Sequence, residues 1–200
     1  MQHPTPTLIF AGSTRAQSYN RQLARVAANM ATEAGAQVTV LELADLNIPL
    51  YNADLEARGT PPDVMRLKAL LHDHPAWIIC SPEYNGGMTA LLKNTLDWAS
   101  SPVKGDAVWD DGLRATRGKV VGMLSASPGA MGGLRGLAQL APLLLNLQCW
   151  VAPRSHALGH AAQAFTAEGT LAAADQATRV KTVVGQVLWA ARALHEAGAA

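Results

Sequence analysis

Five apolar runs of strand length, separated by segments with helical spacing, constrain this chain more than anything else in it. They cover residues 7–11, 37–42, 76–80, 119–124 and 148–152. The first and third, Thr7-Leu8-Ile9-Phe10-Ala11 and Ala76-Trp77-Ile78-Ile79-Cys80, are apolar at nearly every position, the pattern of strands covered on both faces. Amphipathic helices are expected over 21–34, 63–72, 89–100 and 134–147, with a closing helix over 171–197. Gly35 ends the first of them, and Pro142 is placed to kink the fourth. Parallel neighbours need a crossover, and a helix is the usual one, so strands alternating with helices predict a parallel, doubly wound α/β sheet.

Five strands of this kind suit a flavodoxin-like three-layer sandwich with strand order 2-1-3-4-5. Its switch point lies between strands one and three, and ligands of open α/β sheets bind there, at the carboxyl ends of the strands. The loops after those two strands, residues 12–20 and 81–87, are the most polar in the chain and would flank one crevice. The loop after strand four, 125–133, would lie beside it. Two long connections, 43–62 and 101–118, are rich in proline, glycine and aspartate, and 154–169 is irregular. No repeat or composition break divides residues 1–200, so one domain is expected.

The first loop joins a strand to a helix start, where free backbone N–H groups and the positive end of the helix dipole favour a phosphate. Ser13, Ser18 and Asn20 add hydrogen-bonding groups and Arg15 a charge-assisted donor. An N-cap explains one serine but not the whole set. No Gly-Lys-Ser/Thr follows, and G-x-G-x-x-G is missing, so neither a Walker loop nor a dinucleotide fingerprint is present. A hydroxyl-rich loop of this type suits a terminal phosphomonoester. The second loop, Pro82-Glu83-Tyr84-Asn85-Gly86, sets a ring, a carboxylate, an amide and a glycine at a strand end, a wall for a planar ligand. In the third loop Ser127, Gly129, Gly132 and Gly133 let backbone amides come close to a ligand.

The sequence resembles the NADPH-dependent FMN reductases, the flavodoxin-like quinone, azo-dye and chromate reductases. The resemblance rests on Pro82-Glu83-Tyr84-Asn85, on Leu92-Lys93-Asn94 followed by Asp97-Trp98, and on Gly12-Ser13-Thr14-Arg15 with Ser18 and Asn20. It implies FMN as cofactor and NADPH or NADH as donor. The cofactor-binding positions it implies are Ser13, Arg15, Ser18, Tyr19 and Asn20 in the first loop and Pro82, Glu83, Tyr84, Asn85 and Gly86 in the second. Ser127, Gly129, Gly132 and Gly133 follow in the third. Many members carry a proline before the Leu-Lys-Asn. This chain has Gly87-Met88-Thr89-Ala90 instead, so a looser start is expected for the helix over 89–100.

The remaining features narrow the function by exclusion. With 16 basic and 15 acidic residues, nothing argues for nucleic acid or an acidic membrane surface. Met1-Gln2-His3-Pro4-Thr5-Pro6 has neither the basic region nor the apolar core of a signal peptide, and no run is long enough to span a bilayer, so a cytoplasmic protein is expected. Cys80 and Cys149, both in apolar runs, read as buried thiols. His156 and His160 are four apart but lack a third ligand, so no metal is expected. Asp73-His74 has no G-x-S-x-G elbow to serve.

The resulting expectation is an FMN-dependent NAD(P)H oxidoreductase. Hydride passes to the flavin and then, in ping-pong order, to a quinone, azo compound, metal oxyanion or free flavin, and no side chain is named as catalytic. Two alternatives stand beside it: a flavodoxin-type electron carrier, and a flavin-bound regulatory module without turnover. Near-neutral charge speaks against a carrier that docks by charge. A charged fraction of only 16%, with Trp98 and Trp109 flanking a turn-rich segment, predicts a homodimer or homotetramer with the helix over 89–100 and the 101–118 insertion at or near the interface.

Overall fold

A computed structural model describes residues 4–196. Met1–His3 and the expected helix end at Ala197 lie outside them. The first strand β1 (Pro6–Ala11) pairs in parallel with β2 (Gln37–Leu41) on one side and β3 (Ala76–Cys80) on the other. A short hairpin, β4 (Glu83–Tyr84) and β5 (Gly87–Met88), stands apart from the main sheet. The strand β6 (Val120–Ala126) lies against β3, and β7 (Trp150–Val151) and β8 (His156–Leu158) both pair with β6. Six parallel strands thus follow the order β2-β1-β3-β6, with β7 and β8 together on the far edge.

The predicted order holds, but the fifth strand is divided. β7 covers Val120 and Val121 of β6, and β8 resumes opposite Leu124 to Ala126. Pro153 lies between the two pieces. Its missing N–H cannot donate to the ladder, which breaks there and resumes three residues later.

Six α-helices among the described residues complete the layers: α1 (Tyr19–Glu33), α2 (Ala53–Ala57), α3 (Pro62–Asp73), α4 (Ala90–Ala99), α5 (Leu134–Asn146) and α6 (Ala174–Glu196). The period-2 alternation of the strands divides the core. Ile9, Ile78, Cys80 and Leu124 face α1 and α6, while Leu8, Phe10, Trp77, Ile79 and Met123 face α3, α4 and α5. Each fully buried large aliphatic or aromatic side chain contributes about 1.5–3 kcal/mol. α5 runs through Pro142 without a break. Burial pushes both thiols up, Cys149 to about 12, which leaves them inert apolar fillers. No helix among the described residues is long and apolar enough to cross a membrane.

The two long connections are more ordered than their composition suggests. Within 43–62, Asn52 caps α2, its Oδ1 accepting from the N–H groups of Asp54 and Leu55 at 2.8 and 3.1 Å. Lys68, buried under the 101–118 insertion, donates from Nζ to the carbonyls of Ala99 at 3.1 Å and Ser101 at 2.5 Å. It thereby satisfies carbonyls at the C-terminus of α4, where a cation complements the helix dipole. Burial lowers its pKa to about 8. Trp98 is wholly enclosed, with Nε1 donating to the Pro49 carbonyl at 2.8 Å and Tyr51 edge-on at 4.9 Å. The expectation that Trp98 marks a subunit interface fails on this point: the ring is core of the single chain. Trp109 packs edge-on against His72 at 5.6 Å.

Candidate functional site

Three loops leave the carboxyl ends of β1, β3 and β6 side by side, because β1 and β6 are the two neighbours of β3. At the first, the Gly12 N–H donates to Cys80 O at 3.0 Å. A side chain at Gly12 would place its Cβ 3.0 Å from Leu92 Cβ and 3.1 Å from Thr89 Oγ1, so glycine lets α4 come close to the loop. Thr89 supplies what the absent proline does not. Its Oγ1 donates to Gly12 O at 2.8 Å and accepts from the Leu92 N–H at 3.2 Å, capping α4 and tying it to the first loop. The expected loosening of this helix start does not occur.

The second loop is a hairpin. Asn85 (φ 53°) and Gly86 (φ 80°) both adopt left-handed backbone, the requirement of a two-residue type I′ turn, and Glu83 pairs with Met88 across it. Glu83 clamps this hairpin onto α5. Its Oε1 accepts from Arg135 Nε at 2.7 Å and its Oε2 from the Gly136 N–H at 3.1 Å. Burial pushes the carboxyl up, but the Arg135 hydrogen bond, the Gly136 N–H and the Arg135 charge outweigh it and hold the pKa below the usual carboxylate value.

The third loop is fixed from the first. The Asn20 carboxamide donates to Ala126 O at 2.8 Å and accepts from the Ala126 N–H at 2.9 Å. One N–H and the oxygen of the amide are thereby committed to the backbone, and Asn20 still reaches the cleft wall. Gly132 (φ 62°) and Gly133 (φ 92°) also serve packing. A Cβ on the first would lie 2.6 Å from the Ala157 carbonyl carbon, and one on the second 2.0 Å from Ser125 Oγ.

Together the loops enclose a cleft of about 190 Å³. The structure brings Ser13, Arg15, Ser18, Tyr19 and Asn20 to its wall, with Pro82, Glu83 and Tyr84 from the hairpin and Ser127 from the third loop. Asn85, Gly86, Gly129, Gly132 and Gly133 are not among its lining residues. Ala126 and Pro128 line it without having been expected to. Ser18 caps α1, its Oγ accepting from the Arg21 N–H at 3.4 Å. Arg15 is exposed, its guanidinium 5.8 Å from the centroid of the Tyr19 ring. Arg21 pairs with Glu42, Arg117 with Asp111 and Arg135 with Glu83, whereas Arg15 forms no ion pair among the described residues. A free guanidinium, two serines and a helix N-terminus beside a carboxylate already neutralised by Arg135 fit a phosphate-bearing group. The exposed Tyr84 ring and Pro82 fit a flat one.

The chain is also similar to known proteins over most of its length. Residues 5–163 match the model of the NADPH-dependent FMN reductase family. A quinone reductase of Pseudomonas putida is 33% identical over 165 residues, 82% of each chain. An NAD(P)H-dependent FMN reductase of Pseudomonas aeruginosa is 33% identical over 173 residues, 86% of each chain. Among solved structures, the flavoenzyme NAD(P)H:(acceptor) oxidoreductase of Paracoccus denitrificans superposes with a TM-score of 0.78 at 27% identity, covering 94% of this chain and 98% of that one.

The Asn20 bridge makes a stability prediction. Asn20→Ala would leave a buried N–H and a buried carbonyl unpaired, a cost of about 2–4 kcal/mol in unfolding free energy by urea denaturation. A loss under about 0.5 kcal/mol would mean that the bridge does not hold the loops together.

Proposed function

The chain belongs to the NADPH-dependent FMN reductase family, and on that premise we propose that its three-loop cleft holds FMN and passes reducing equivalents from NADPH or NADH to a quinone. FMN bound there would supply two-electron redox chemistry between donor and acceptor. Arg15, Ser13, Ser18 and the N–H groups at the start of α1 would hold its phosphate, and Pro82 and Tyr84 would support its ring. Among the residues lining the cleft there is no histidine or thiol, and the single carboxyl, Glu83, is kept ionised by Arg135. We therefore assign no side-chain acid or base. The work of this chain is to bind, orient and shield.

The unpaired Arg15 beside Ser13 and Ser18 is the observation that carries this reading. Loss of one charge-assisted contact costs about 1.5–3 kcal/mol, so Arg15→Ala should bind FMN roughly ten- to a hundredfold more weakly and riboflavin no differently. Equal affinity of the parent for FMN and riboflavin would contradict it.

The choice of quinone over azo compounds, metal oxyanions or free flavin is supported by the quinone reductases among the relatives. One cleft with one mouth serves donor and acceptor in turn, which makes the kinetics ping-pong. Double-reciprocal plots for NADPH at several quinone concentrations should be parallel, and lines that intersect would reject a shared mouth.

The homo-oligomer rests on a different surface from the one expected. Leu134, Ala138, Pro142 and Leu145 form an exposed apolar stripe along α5, extended by Met131 beside Leu134. A stripe without charge can face its own copy across a two-fold axis. Light scattering should return at least twice 21.0 kDa, and Leu145→Glu should lower it. A parent of 21.0 kDa at micromolar concentration would exclude the pairing.

A further inference from the structure

Arg15 is an exposed, flexible side chain, yet it is the group on which the phosphate reading depends. A long side chain loses rotamer freedom when it grips an anion, and binding is stronger when part of that freedom has been lost beforehand. The Tyr19 ring lies 5.8 Å from its guanidinium, within cation–π range. Tyr19 is the first residue of α1 and is itself only partly buried. The Phe165 ring steadies it, stacked parallel within 2° at a centroid separation of 6.4 Å.

Phe165 comes from beyond the segment matched by the family model, on a short loop built to hold it. Phe165 and Leu171 form an antiparallel bridge. The Ala172 N–H donates to Ala164 O at 3.0 Å and the Thr166 N–H to Thr170 O at 2.9 Å. Gly169 turns the chain at φ 78°, and Leu171 is buried in the core shared with α1 and α6. The loop therefore presents one ring at a set place against the Tyr19 ring, over which the Arg15 guanidinium lies.

We infer that Phe165 is a positioning residue for phosphate recognition: through Tyr19 it pre-orients Arg15 and thereby favours phosphorylated over unphosphorylated flavin. The inference rests on the phosphate reading of the first loop. A role in packing alone would weaken FMN and riboflavin equally, whereas positioning of Arg15 affects only the ligand with a phosphate.

The test titrates the full-length protein, freed of bound flavin, with FMN and with riboflavin, following flavin fluorescence. Phe165→Ala should raise the FMN Kd about threefold to tenfold, the scale of one stacking or cation–π contact, and leave the riboflavin Kd unchanged. Phe165→Leu, which keeps apolar bulk if the alanine variant folds poorly, should behave likewise, and Phe165→Tyr should restore the parent value. In an Arg15→Ala background, Phe165→Ala should add no further loss. Equal weakening of both ligands, unchanged FMN affinity, or full additivity with Arg15→Ala would overturn the inference while leaving the phosphate reading intact. A parent that does not discriminate FMN from riboflavin would remove both.

Discussion

The Asn20 carboxamide donates to the carbonyl and accepts from the N–H of one residue, Ala126, that is 106 positions away in the chain. Strands in a parallel sheet share their ladder, which reaches only the first residue of each loop leaving their carboxyl ends, at Gly12, Ser81 and Ser127. Each loop must be fixed by side chains or remain mobile. Asn20 fixes the third loop to the first. Thr89 fixes α4 and the hairpin's exit to Gly12. Glu83 fixes the hairpin to the first turn of α5. Three side-chain contacts thus turn three separate loops into one walled cleft, and without them the Arg15 region and the Tyr84 region would have no defined relation.

Charge placement follows the same logic. The cations that serve the fold are matched: Lys68 closes the carbonyl end of α4, Arg21 meets Glu42, and Arg135 meets Glu83. Glu83 shows how a structural pair also shapes a binding site. Its carboxylate would oppose an anion in the cleft, but Arg135 and the Gly136 N–H neutralise it locally. Below its depressed folded pKa the carboxyl would be protonated and the clamp weakened, so the clamp's contribution is present above the ordinary glutamate range and fades as pH falls through the folded value.

Local sequence signals carried most of the architecture. Strands such as Ala76–Cys80 are buried on both faces and read as unbroken apolar runs, and switch-point reasoning placed the loops after β1 and β3 beside each other. The hairpin was also legible in principle, since Asn85-Gly86 is a strong type I′ signal, but the brevity of its strands hid it behind the loop reading. Pro153 likewise announced the divided edge strand. Asn20 was different. Its type and place suggested a ligand contact, and only the fold shows that Ala126 also takes the amide oxygen and one amide N–H. Trp98 failed for the same reason: its composition suits an interface, while a carbonyl 49 residues earlier, at Pro49, makes it core. Tertiary partners distant in sequence left no local trace.

A second hollow, of about 580 Å³, lies between the 43–62 connection and the 101–118 insertion, lined by Tyr51, Glu56, Arg58, Thr60 and Lys104. It is larger than the three-loop cleft, so size does not single out the cleft. Amide hydrogen exchange with and without FMN decides between them. With FMN bound in the three-loop cleft, exchange should slow in residues 12–20, 82–88 and 126–129 together and stay unchanged in 51–60 and 101–104. Protection confined to 51–60 and 101–104, with the three loops unaffected, would contradict that placement.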